Sequence, residues 1–132
     1  MKNLKNIYKV GDDKIKTIDS LIKESKLEVK KFEDRFPRDK VHLIQAAEKT
    51  WVAYNLFLER ILGYNMLSAE DVRAATKAWA WVNKDRDLEK LYQTVKELHI
   101  YHYEARLSSD IVKRKLKTAW QLLAKERKRY KV

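Results

Sequence analysis

Two of the three histidines, His99 and His102, stand three residues apart in LHIYHYEARLSSD (98–110), beside Tyr101, Tyr103 and Glu104. Side chains of these types can hold a metal ion. They can also move protons in metal-independent RNA cleavage, with an arginine steadying the phosphate. Either chemistry needs its groups to converge on one point. Stepping about 100° per residue from Leu88 gathers Leu91, Tyr92, Val95 and Leu98 on one side of a helix. His99 and His102 fall inside that stripe, and Glu104 falls opposite. The nearest acid therefore points away, and His42 would have to arrive from another helix. No metal or other cofactor is expected, and the histidines read as hydrogen-bonded core or interface side chains.

For cleavage, the arginine at a matching short spacing before a histidine is Arg35 in RFPRDKVH (35–42), but Pro37 lies between the two. They would straddle a helix junction rather than share a face. A nuclease reading otherwise rests on His99, His102 and Arg106. Glycine is confined to Gly11 and Gly63, too few for a nucleophile elbow or a phosphate-cradling loop.

A third chemistry is electrostatic. The net charge of +11 is spread as +4 over residues 1–40, 0 over 41–83, −1 over 84–104 and +8 over 105–132. On the last helix Lys113, Arg114, Lys117, Lys125 and Lys128 line the side opposite Val112, Leu116, Ala119, Trp120 and Leu123. Such a row can follow a phosphate backbone without reading sequence. Its plainer reading is a solvated face whose cations suit the helix C-terminus.

The elements that must position these residues are helical. Two glycines and one proline leave little material for hairpins, and no strand-like alternation of useful length appears. Apolar spacing predicts a first helix from Asp12 to about Arg35, closed by Pro37. A second, over 40–62, follows Asp39 as N-cap and ends at a left-handed Gly63. It is the most apolar, with Gln45, Glu48, Asn55 and Glu59 on one narrow strip, and so is expected at the centre. Ser68-Ala-Glu-Asp71 reads as a capping box for a third helix to about Val82. There Val72, Ala75, Trp79 and Val82 form one stripe, and Ala74, Ala78 and Trp81 form another on the far side. The plain expectation is a helix sandwiched between two neighbours of its own chain. The sharper one makes Trp79 or Trp81 an anchor between two copies. A fourth helix spans about 86–105, and a fifth, capped by Ser108 or Ser109, runs to about Arg129. The expectation is an all-α, antiparallel bundle of about five helices in a single domain, 1–132. Residues 1–11 are read as irregular and 126–132 as a basic tail.

The absence of cysteine excludes disulfides and thiolate metal sites. No stretch approaches the ~18 apolar residues a membrane span requires, and the start MKNLKNIYK has no signal-like apolar run. A cytoplasmic protein without membrane association is expected.

The segments AAEKTWVAYNLFLERIL (46–62) and LHIYHYEARLSSDIVKRKLKTAWQLL (98–123) together resemble the archaeal PaREP family of small helical proteins, within the HEPN-like bundles. Ala47, Glu48, Lys49 and Trp51 match its first element, and Leu98, His99, Tyr103 and Glu104 its second. The resemblance implies a homodimeric bundle of about this size, HEPN-like in fold, with no established activity. Related ribonucleases place an arginine a few residues before a histidine on one helix. Here Tyr92, Gln93 and Thr94, or Val95, Lys96 and Glu97, stand where it would be. The leading expectation is thus a non-catalytic, dimer-forming protein, an accessory or regulatory partner. The alternatives are a divergent HEPN-type ribonuclease and a nonspecific nucleic-acid-binding module.

Overall fold

The computed structural model describes residues 17–101 and 107–132 with side chains, and the backbone of residues 102–104, Lys9–Val10 and Lys14–Ile15. It is an all-α helical bundle of five helices: α1 Ile18–Asp34, α2 Lys40–Leu62, α3 Ala69–Asn83, α4 Arg86–Glu104 and α5 Ser109–Tyr130. Strands β1 (Lys9–Val10) and β2 (Lys14–Ile15), two residues each, pair antiparallel ahead of α1.

Helix α1 begins six residues later than its apolar spacing predicts. Thr17 is its N-cap, accepting from the Ser20 N–H while the Ser20 hydroxyl accepts from the Thr17 N–H at 2.8 Å. That reciprocal box satisfies two donors a helix start leaves open, and Ile15, counted in the helical stripe, belongs to β2 instead. The helix ends at Asp34, with Arg35 extended and the Phe36–Pro37 peptide bond cis.

Helix α2 starts under an Asp39 cap and ends on Gly63 at φ +80°, where a side chain would be strained. It packs against all four other helices and buries eleven residues, from Leu43 to Glu59, which makes it the central element. Glu59 departs from its expected place on a polar strip: it is 1% exposed, and its Oε2 accepts from the Met66 N–H at 2.6 Å. Burial pushes this carboxyl upward, opposed by that bond. The strip was drawn for a straight helix in isolation, whereas the chain after Gly63 folds back over the end of α2.

Ser68 caps α3, but Asp71 accepts from the Leu67 N–H at 3.0 Å, one residue before the cap, so the expected box is half-formed. Helix α4 is fixed at its start by Asp85, whose Oδ1 accepts from the Leu88 N–H at 3.0 Å. Helix α5 carries residues 126–130 within its last turns, so the expected basic tail is largely helical. Two of those tail residues, Tyr130 and Val132, pack on the core. Near the start of α5 Lys113 meets Glu33 of α1, and near its end Arg127 meets Asp19 of α1. No helix among the described residues is long and apolar enough to cross a membrane.

Candidate functional site

Leu88, Leu91, Tyr92, Val95 and Leu98 of α4 are all buried, as the helical phasing predicts. His99 sits at the margin of that stripe, its side chain 21% exposed. Its ring stacks on Trp51 of α2, centroids 4.3 Å apart and planes 15° from parallel. Its Nδ1 lies 3.4 Å from Glu48 Oε2. The imidazole is thus clasped between an indole and a carboxylate of one neighbouring helix, a packed arrangement with one ring nitrogen engaged. His102 and Glu104 have no described side chains, and Arg106 lies outside the described residues, so the nuclease candidates are placed only at His99.

His42, at the start of α2, makes a tighter pair. Its Nδ1 is 2.9 Å from Glu28 Oε1, and Lys31 Nζ approaches Glu28 Oε2 at 3.0 Å. Burial alone would raise the Glu28 carboxyl, but the bonds from His42 and Lys31 bring it below the usual carboxylate range. Arg35 and His42 both line a surface groove of about 680 Å³ around the α1–α2 junction. The sequence had set them on opposite sides of a helix break, and the turn at Pro37 brings them to one hollow. The Glu28 carboxylate engages His42 Nδ1 and so fixes the orientation of its ring. Among the described residues no group of three or more His, Cys, Asp or Glu could hold a metal ion.

The cation row of α5 divides in two. Lys113 pairs with Glu33 at 3.3 Å, and Lys125 pairs with Asp87. The Asp87 carboxylate holds the Lys125 ammonium above its ordinary range. Arg114, Lys117 and Lys128 are exposed and form no ion pair among the described residues. Across the seam, α1 adds exposed Lys23, Lys26 and Lys30. These three carry no signal along the chain because the net charge of residues 1–40 is modest; only the facing of α1 and α5 sets Lys26 and Lys30 beside Arg114 and Lys117, with Lys23 in the adjoining hollow.

The two tryptophans of α3 separate cleanly. Trp79 turns inward, its ring edge-on to Tyr130 of α5 at 5.5 Å between centroids. Trp81 is 84% exposed, Val82 is 75% exposed, and Ala74 and Ala78 are exposed as well. The sandwich expectation therefore fails. Helix α3 rests on α2 and α4 through Val72, Ala75, Thr76 and Ala80, and its second stripe faces outward. Val82, expected on the packed stripe, is 75% exposed, because α5 reaches the end of α3 on the side of Trp79 and Asn83 instead.

One buried cluster had no signal in the sequence. Asp85 is 2% exposed and Glu126 fully buried. Besides capping α4, Asp85 accepts from the Tyr130 hydroxyl at 2.7 Å and meets Arg129 Nη1 at 3.3 Å. Burial would raise the Asp85 carboxyl, but hydrogen bonds and the Arg129 charge hold it below the ordinary range. Neither carboxylate oxygen of Glu126 has a hydrogen-bond partner among the described residues. Burial, with the Asp85 carboxylate beside it, pushes Glu126 up to about 8, which favours its neutral form. Glu126 looked like one acid in a basic run, and only the packing of α5 reveals that it points inward. Comparison with protein-family models, with curated proteins and with solved structures yields no match.

Proposed function

We propose that this chain is a non-catalytic, homodimer-forming helical protein, a cytoplasmic accessory or regulatory partner, with α3 as its self-association face. The observation that carries the reading is Trp81, an indole 84% exposed on a stripe of small residues. Large aromatics concentrate in the desolvated centres of protein interfaces. A two-fold contact between α3 and its copy, running in opposite directions about a centre near Ala78, sets Trp81 over Ala74 of the second copy.

The resemblance to the PaREP family and to HEPN-like, antiparallel bundles supports the same reading, because it implies a homodimer of one domain this size. The stacking of the His99 ring on Trp51 supports the non-catalytic part.

The test is light scattering at micromolar concentration, with RNA integrity followed in the same samples. Wild type is expected as a dimer, Trp81→Glu as a folded monomer, and RNA as uncut by both. A wild-type monomer overturns the assembly. RNA cleavage that disappears in His99→Ala or His42→Ala, with the fold intact, overturns the non-catalytic part in favour of a divergent ribonuclease.

A further inference from the structure

Two adjoining hollows of about 510 and 680 Å³ run along the seam between α1 and α5 and share Lys26, Lys30 and Trp120. Lys23, Lys26 and Lys30 stand on the α1 wall, and Arg114 and Lys117 on the α5 wall, all exposed. The acids of the groove are Asp19, Glu33 and Asp110. Arg127 pairs with Asp19, and Lys113 lies 3.3 Å from Glu33 and 4.0 Å from Asp110. Lys30 also meets Asp34 at 3.5 Å, but both side chains are well exposed, and a pair of that kind holds a cation weakly in water. The groove therefore keeps an excess of cations after its own acids are matched.

Its floor is aromatic. Trp120 is half-buried, and its Nε1 donates to Thr50 Oγ1 at 3.1 Å, which fixes the plane of the indole. Lys26 Nζ lies 5.6 Å from the ring centroid. The ring is thus held at its edge by a buried hydroxyl and covered on one face by a flexible ammonium.

We propose that this groove binds a single strand of nucleic acid through its phosphates, without sequence preference, with the Trp120 face taking a base. Lys26 is the moving part: its ammonium passes from the indole to a phosphate, and the ring face opens. Lys23, Lys26 and Lys30 advance along α1 by about 4.5 and then 6 Å, at 1.5 Å per residue, so they present a track rather than a point. A cationic groove with an aromatic platform holds single strands independently of sequence, since every base has a face to stack. No residue of α3 lines the groove, so this proposal and the dimer fail separately.

Fluorescence anisotropy of a labelled oligothymidylate, titrated with the full chain between 50 and 200 mM salt, tests it. Binding is expected at the low end, with a log–log salt slope of about −3 if about four phosphates are engaged. Lys26→Glu with Lys117→Glu is expected to weaken binding at least about tenfold and flatten the slope. Arg86→Glu with Lys90→Glu, an equal change of charge on α4, is expected to change it far less. No binding at 50 mM salt overturns the proposal. Equal weakening by both pairs overturns it too, since diffuse charge would then suffice. A blunt duplex bound as tightly as the single strand overturns the single-strand assignment.

Discussion

Ser25, Thr50 and Trp120 tie α1, α2 and α5 together with neutral groups, whereas Asp85, Arg129, Tyr130 and Glu126 tie the start of α4 to the end of α5 with charges. In the first cluster both hydroxyls reach the Ala46 carbonyl, at 2.8 and 3.0 Å, and stand 2.9 Å from each other. With one hydrogen each, one serves the carbonyl and the other its neighbour, and the Trp120 N–H completes the set. Such a cluster is indifferent to pH. In the second, Asp85 has three partners, the Leu88 N–H, the Tyr130 hydroxyl and the Arg129 guanidinium, whereas burial favours the neutral form of Glu126. The difference teaches that a buried carboxyl is tolerated here in two ways: one surrounded by donors, the other neutralised.

Removing the charged anchor should have the largest effect. Asp85→Ala deletes the α4 cap and the acceptor of Tyr130 and Arg129, and is expected to cost about 3 kcal/mol in denaturant unfolding. A loss under about 1 kcal/mol would mean that the charged cluster contributes no more than an ordinary surface pair.

Next comes pH. Glu126 binds a proton in the folded state up to about 8, well above its ordinary 4.5. Between those values the folded chain carries one more proton than the unfolded chain at this site. Stability therefore falls as pH rises, by up to about 1.4 kcal/mol per pH unit. Asp85 acts oppositely: its depressed carboxyl contributes stability that is lost only as pH falls below the usual carboxylate range. Thermal melts of Glu126→Gln from pH 5 to 8 should show this decline largely removed. An unchanged pH profile would locate the titration elsewhere.

Smallest is the neutral cluster. Thr50→Val keeps the volume and leaves Ser25 and the Trp120 N–H short of a partner, for about 1–2 kcal/mol. That loss should be the same at pH 5 and pH 8, and a pH-dependent loss would break the contrast between the clusters.

Much of the frame was legible because caps and glycines act locally. Asp39, Gly63 and Ser108 delimit helices where their chemistry predicts. The start of α1 was missed because Ile15 and Ile18 keep a helical spacing, whereas the Thr17–Ser20 box decides the boundary. Face assignments held on α4, whose apolar stripe is covered by α2, α3 and α5 together. They failed on α3, where periodicity reports two apolar stripes but not how many neighbours exist to cover them. The groove and the acid pair lie further from reach. Each is formed by residues on different helices, and no spacing along the chain encodes which helices meet.

The shallow seat of α3 also sets where the fold opens first. Apart from Val72, its fully buried residues are two alanines and a threonine, with Trp79 half-buried against the core, and the Tyr54 hydroxyl stands 2.6 Å from the Thr76 hydroxyl as its buried polar tether. Local opening free energy follows the apolar contact an element must give up. Backbone amides of α3 are consequently expected to exchange with deuterium sooner than those of α2, which packs against all four other helices.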